Sequence, residues 1–419
     1  MQTRSRLYFG YWIVVAAFFA QFVSLGIFSY TLGPFMTPMT DALGWSRADF
    51  TISRSLSQAV MAFTGFFIGS YVDRFGGRPL IIVGTLVVGA SLYAHSYLTQ
   101  LWQWIVLNGI IMTMGCAMMG NLVVNVTLIK WFVEKRGSAV AWSAMGVSFA
   151  GIAITPLLTV AIDQYGWRFA WQILAVLTVV IMLPIAMLVR RAPEDYGLHP
   201  DGRSDSDVAS GLAHRAAADF ARSMTRSQAL RTLSFYVLVL AFGLFSINIV
   251  VLLLQTIAYL TDAGFGRTEA ALAITVASIP AMISKPIWGY FIDRLRPQPL
   301  ASLSSALTGA SVAFIVFSVG QQNLLLIYAA FFLLGVGWGG MIPMQEVIWG
   351  SFFGRRFLGA VRSAGLPFAL LLGAGAPWLV SVYHDEFGTY DGALLVVAGL
   401  NMLAALLLLV IAPPRGNRA

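Results

Sequence analysis

The chain is short of charge. Only 11% of its 419 residues are Asp, Glu, Lys or Arg, against about 25% in an ordinary soluble domain. Cysteine is nearly absent. Cys116 stands alone, so no intrachain disulfide forms and the redox compartment is left open. There is no Walker-type glycine loop, which excludes work driven by ATP bound to this chain. The four histidines, at 95, 199, 214 and 384, are scattered at span ends or in the linker, and with one cysteine they suggest no metal site. No nucleophile–base pair is visible, so neither an enzyme nor a cofactor is expected.

What fills the chain is apolar. Hydrophobic residues make up 58% of it and mean hydropathy is +0.78. Runs of ~20 apolar residues recur, each long enough to cross about 30 Å of hydrocarbon at ~1.5 Å per residue. Hydropathy predicts twelve spans, near 11–36, 48–71, 79–97, 102–129, 138–161, 168–189, 233–260, 269–292, 300–319, 323–350, 358–382 and 392–412. The expected class is an all-α membrane protein. The first run follows a short head with Arg4 and Arg6 and lacks a small-residue cleavage site, so it is expected as a retained helix.

The basic residues are sorted by side. Of the 26 Lys and Arg, 21 fall in connections on one side, while Arg47, Arg54, Arg168 and Arg267 lie on the other. That asymmetry predicts cytoplasmic termini. It also makes the net charge of +8 a topology signal. The expected partner surface is the lipid bilayer and not nucleic acid.

The two halves match each other. "MTDALGWSRADF" parallels "LTDAGFGRTEAA", with Asp41 and Asp262 separated by 221. "GSYVDRFGGRP" parallels "GYFIDRLRPQP", with Asp73 and Asp293 separated by 220. "KWFVEKRGSAVA" parallels "SFFGRRFLGAVR" at 221, and "YGWRFAW" parallels "FGTYDGA" at 222. So steady an offset predicts a duplicated six-helix unit, spanning 1–189 and 233–419, around a polar cytoplasmic linker at 190–232. The end of that linker, "AAADFARSMTRSQALR", has helical spacing suited to the membrane surface. Parallel repeats of this kind enclose a substrate site between the halves.

The loop "GSYVDRFGGRP", Gly69 to Pro79, resembles the signature loop of the major facilitator superfamily, and the resemblance runs from about Tyr8 to Pro413 outside the linker. It implies a twelve-helix fold. It also implies a gating latch at Asp73, Arg74 and Arg78, with Asp293 and Arg294 as its second-half counterpart. Within that superfamily, "YFGYWIVVAAFF", "GWSRADF", "KWFVEKRGSAVAWSAMG" and "YGWRFAW" are similar to the monocarboxylate transporter and oxalate/formate antiporter group. In that group a basic residue just before a proline in the eighth span contacts the substrate carboxylate. Here "SKP" puts Lys285 on that position. Animal members carry an Asp four residues earlier, where this chain has Ala281, and they tend to have a first-span lysine, which this chain lacks. Oxalate exchangers resemble one another in a second cation in the eleventh span, where "AGLPFALLLGAGAPWLV" has none.

Lys285 lies eight residues before Asp293, so roughly 12 Å from the cytoplasmic end. An ammonium facing lipid costs about 2.5–3.5 kcal/mol, so it should face a cavity or a partner. Either it binds an anion and takes part in coupling, or it forms a structural pair with Glu346. One cation in the bilayer favours a monoanion. Glu346 is the only acidic residue deep in a span, and it aligns through the repeat with Asn125. It is either a proton carrier or a latch partner for Arg355 and Arg356. Asn121 and Asn125 are four apart and share a helix face. Arg54 and Gln58, also four apart, either greet an incoming anion or are simply solvated. Tyr30, Asn248 and Gln255 either line the cavity or bond helix to helix.

The expectation is a monomeric secondary carrier in a bacterial-type inner membrane. It moves a small organic monocarboxylate by alternating access, with proton symport. Anion exchange and export of hydrophobic, drug-like compounds are the alternatives.

Overall fold

The computed structural model describes residues 8–45, 47–203, 220, 223–369 and 375–414. Inside hydrocarbon no water satisfies backbone N–H and C=O groups, so each apolar run must bond internally as helix. The described residues are helical with turns and hold no strand. In order they form α1 (Gly10–Leu25), α2 (Leu32–Leu43), α3 (Arg47–Phe75), α4 (Arg78–His95), α5 (Leu101–Trp104), α6 (Thr113–Met119), α7 (Asn121–Trp131), α8 (Arg136–Tyr165) and α9 (Trp167–Leu188). After the linker come α10 (Arg226–Ala229), α11 (Leu233–Asp262), α12 (Arg267–Ile292), α13 (Pro297–Gly320), α14 (Leu324–Phe353), α15 (Leu358–Ala364), α16 (Ala376–Phe387) and α17 (Asp391–Val410).

Among the described residues, 11 helical stretches are long and apolar enough to cross a membrane. The remaining expected span, 358–382, runs through residues 370–374, which lie outside the described set; α15 and α16 flank them. Residues 216–219, 221 and 222 of the expected surface helix of the linker also lie outside that set; from 223 to 231 its regular helix is the single turn α10.

The chain forms two compact units. One comprises residues 1–226 together with 353–366; the other comprises 227–352 and 367–419. In the first, α1 packs on α8 and α4 on α9; in the second, α13 and α11 pack on α17. Small residues bring backbones close, as membrane helices require. A Cβ on Gly84 of α4 would lie 2.7 Å from the Gly115 carbonyl of α6.

Among the described residues of the first six spans, two spans are not continuous α-helix. A π-helical turn, Gly26–Tyr30, joins α1 to α2. The fourth span passes from α5 through a π-helix, Ile105–Met112, into α6 and then breaks at Gly120. Gly120 is extended (φ −85°, ψ −166°), and Asn121 opens α7. Helix breaks inside a membrane are tolerated where they are buried in protein or line a cavity.

Candidate transport site

In the second unit, Lys285 sits on α12 and is only 4% exposed. Its ammonium donates to the Ala281 carbonyl at 3.1 Å. The neighbouring helix is α14. A Cβ on Gly335 would collide with the Ala277 carbonyl, and one on Gly339 would lie 2.9 Å from the Ala281 carbonyl. Both contacts share one residue offset, so α12 and α14 run parallel and in register. Ser284 Oγ also lies against Gly339, so Lys285 follows directly on the part of α12 that packs on α14 at Gly339. Glu346, also 4% exposed, lies seven residues beyond Gly339 on α14, about 10 Å of helical rise. A buried ammonium and a buried carboxylate are thus carried on adjacent helices of this unit. Pro286 follows Lys285 directly, and Pro280 and Pro286 both lie inside α12.

Asn248 of α11 is fully buried and its amide is committed. Nδ2 donates to Asn401 Oδ1 of α17 at 2.9 Å and also to the Phe245 carbonyl, while Oδ1 accepts from Trp338 Nε1 of α14. Asn401 in turn donates to the Val397 carbonyl at 2.9 Å. This ties three helices together, which is the helix-bonding alternative for Asn248. Gln255, two turns further along α11, is half-buried. Asp293 caps the end of α12. Arg294 is exposed, with its guanidinium 3.5 Å from the Tyr290 ring centre and a 3.2 Å bond to the Tyr290 carbonyl.

The first unit has its own polar node. Gln21 Nε2 of α1 donates to Asn125 Oδ1 of α7 at 3.2 Å and to Ser143 Oγ of α8 at 3.0 Å. All three side chains are fully buried. Four buried atoms around the node have no hydrogen-bond partner among the described residues: Gln21 Oε1, Ser24 Oγ, Asn121 Oδ1 and Asn125 Nδ2. Asn121 is half-buried at the Gly120 break. Buried polar atoms are normally paired, so four orphans at one α1–α7 contact leave unused hydrogen-bonding capacity there.

Tyr30 is half-buried at the end of the π-helical turn, its ring against Gly151. Arg54 of α3 donates to the Phe28 carbonyl at 2.5 Å and lies 4.1 Å from the Phe28 ring centre. Burial and that carbonyl set it apart from a freely solvated cation. Gln58, one turn on, is half-buried.

Asp73 is the hub of the first unit. One carboxylate oxygen meets Lys130 Nζ of α7 at 2.8 Å, and the other accepts the Ala360 N–H of α15 at 2.8 Å. A Cβ on Gly69 would collide with the Gly359 carbonyl, so only glycine lets α3 and α15 approach so closely. Arg226 spans the same contact. It donates to the Ala360 carbonyl (2.9 Å) and Ser363 Oγ (3.1 Å) on one side, and to the Phe66 carbonyl and Ser70 Oγ (both 3.0 Å) on the other. Arg355 donates to the Lys130 carbonyl at 2.9 Å and pairs with Glu194 Oε1 at 2.5 Å. The carboxylate paired with Arg355 is thus that of Glu194 in the linker. Arg356 lies against the Phe220 and Phe357 rings. Arg78 donates to the Val189 and Met187 carbonyls at 3.1 and 2.5 Å, which ties α4 to the end of α9. Arg74 is exposed beside the Phe75 ring, and its carbonyl accepts from Arg191. The Arg191 guanidinium also holds the Asp195 carboxyl below its ordinary range.

The family model of the Major Facilitator Superfamily matches residues 17–365 and 238–419. The chain belongs to the major facilitator superfamily. It is therefore a multi-pass membrane transporter and not an enzyme. Its relatives include the oxalate:formate antiporter of Oxalobacter formigenes, 23% identical over 97% of this chain and 92% of the relative. Monocarboxylate transporter 13 of Rattus norvegicus is 25% identical over 96% of this chain and 89% of the relative. An uncharacterized MFS-type transporter, YcxA of Bacillus subtilis, is 23% identical over 92% and 91%. Among solved structures, a double-tryptophan variant of XylE superimposes with a TM-score of 0.73 at 13% identity, covering 97% of each chain. A second, the proton:xylose symporter XylE bound to 6-bromo-6-deoxy-D-glucose, gives 0.70 at 11% identity over 95% and 94%. At such identities these two report the superfamily fold alone.

In this superfamily member several polar residues of the sites escaped the reading of the sequence: Gln21, Ser24, Ser143, Asn401, Glu194 and Arg226. Gln21 in "AAFFAQFVSL" and Asn401 in "VAGLNMLAAL" are lone polar residues in apolar runs, a visible signal. Glu194 and Arg226 are linker residues with no motif around them.

Proposed function

We propose that this transporter moves a small organic monocarboxylate by alternating access, with Lys285 as the cation that receives the carboxylate. The observation that carries this reading is the burial of Lys285 in a membrane-spanning helix packed beside the one that carries Glu346. An ammonium is retained in hydrocarbon only at high cost, so a default functional role with a named partner is the physical expectation. The names of the two relatives support the chemistry, since oxalate, formate and monocarboxylates are all anions. A lysine offers one compact charge and no planar fork, which suits a single carboxylate held through one oxygen.

Proton coupling follows from charge balance on the same reading. On this reading the substrate carboxylate takes the Lys285 ammonium, which in the structure donates to the Ala281 carbonyl. Glu346, the buried carboxylate of the adjacent helix, is the proton carrier in this reading. Substrate and proton then move together. Anion exchange is the second reading, favoured by the antiporter among the relatives. Asp73, Lys130, Arg226, Arg355 and Glu194 hold the gate at the cytoplasmic end, in a membrane of the bacterial inner type.

Thermal stabilisation of the purified protein by a panel of carboxylates, amines and neutral aromatics tests the ligand class, because a ligand that binds only the folded state raises the melting temperature. A small monocarboxylate is expected to stabilise. Stabilisation by amines or neutral aromatics alone would reject the anion reading. For coupling, Glu346→Gln is expected to keep carboxylate binding and lose substrate-driven proton movement; undiminished proton movement would exclude Glu346 as the carrier.

A further inference from the structure

The first unit carries a groove that the transport reading does not use. It runs between α1 and α8, has a volume of about 540 Å³, and is walled by Val14, Val15, Phe18 and Phe19. Its polar lining is concentrated at one end, where Lys135 and Ser138 stand. We propose that this groove holds one anionic phospholipid, with its phosphate at Lys135 and an acyl chain along the apolar wall.

Three features argue for that occupant. The walls offer a chain nothing but apolar surface, so a small hydrophilic substrate has no reason to lie there, whereas a hydrocarbon tail does. The polar end sits at the level where a headgroup belongs. Lys135 immediately precedes α8, and Tyr11 and Trp12 lie in the first turn of α1. These two aromatic side chains are 41% and 45% exposed, as in the aromatic belts that mark a membrane–water interface.

The charge at that end fits an anion. Glu134 is paired with Arg203 at 2.5 Å. Asp201 spends its carboxylate on the backbone N–H groups of Val133, Glu134 and Lys135 at 2.9–3.1 Å. Arg136, the next cation, is buried with its Nε on the Phe132 carbonyl at 3.3 Å. With Glu134 and Arg203 cancelling each other, Lys135 and Arg136 outnumber Asp201, which leaves a net positive charge at the mouth of the groove.

Native mass spectrometry of the delipidated full-length protein, titrated with phosphatidylglycerol, phosphatidylethanolamine or glycerol phosphate, tests this. One phosphatidylglycerol should bind at least tenfold more tightly than phosphatidylethanolamine, and glycerol phosphate should not compete. Lys135→Gln removes the charge and Val15→Trp fills the groove; each should weaken phosphatidylglycerol binding at least tenfold, while Lys135→Arg should retain it. Equal binding of both lipids, unchanged binding in Lys135→Gln, or competition by glycerol phosphate would overturn the proposal. If a variant does not fold, the other variant and the lipid comparison in the unmodified protein still decide it.

Discussion

Asp73 and Lys130 meet at 2.8 Å with side chains only 8% and 7% exposed, and the second Asp73 oxygen accepts the Ala360 N–H. One carboxylate thus joins α3 and α7 to α15, a helix encoded in the second half of the chain but packed within the first unit. Asp73→Asn keeps an acceptor for Ala360 but leaves Lys130 buried without its counter-charge, a loss of about 3–5 kcal/mol for a buried pair. Hydrogen exchange in residues 358–364 is expected to quicken in Asp73→Asn. Adding Lys130→Gln should restore part of the protection, since the second change removes the stranded charge. Unchanged exchange would remove Asp73 from the latch.

Arg226 bonds two acceptors on α3 and two on α15. Hydrogen bonds from a charged donor contribute about 1.5–3 kcal/mol. Arg226→Ala is expected to lower the thermal midpoint by several degrees. Arg226→Lys should recover little, because one ammonium cannot reproduce the fork that reaches both helices. Recovery by lysine would show that charge alone matters there.

The Gln21 node makes a different prediction. Gln21→Leu strands Asn125 Oδ1, at about 1–3 kcal/mol of stability, while Ser143 Oγ keeps its bond to the Val140 carbonyl. If Gln21 holds the helices while Asn121 and Asn125 face the substrate, melting should fall with KM nearly unchanged, and Asn121→Leu should raise KM with little loss of melting temperature. The reverse pattern would exchange their roles.

Asn248 is bound to Asn401 and Trp338, so Asn248→Leu should destabilise by roughly 1–3 kcal/mol and alter KM less than twofold. A large KM change with intact stability would return Asn248 to the substrate site.

Much of this was legible in the residue order. Apolar runs of span length and the steady repeat offset show the helical membrane fold, because both follow from the hydrocarbon's demand for internal hydrogen bonding. Lys285 and Glu346 stand out as ionisable groups in apolar runs. Pairing was not legible. Asp73 finds Lys130 and Asn248 finds Asn401 only through the register of packed helices, which no local spacing records. The small residues that fix the α12–α14 register, Gly335 and Gly339, are plain in "LLGVGWGG", but their partners on α12 are not. The Gly120 break was hidden for a related reason, since glycine is common in membrane spans and most such glycines do not interrupt them.

The most direct test of the central claim is uptake of a labelled small monocarboxylate into proteoliposomes by the unmodified protein and by Lys285→Ala, with equal melting profiles as the control for folding. The account predicts saturable uptake that falls to background in Lys285→Ala. In Lys285→Arg it predicts uptake that persists with an altered pH profile. Carboxylate uptake that survives undiminished in Lys285→Ala would contradict it.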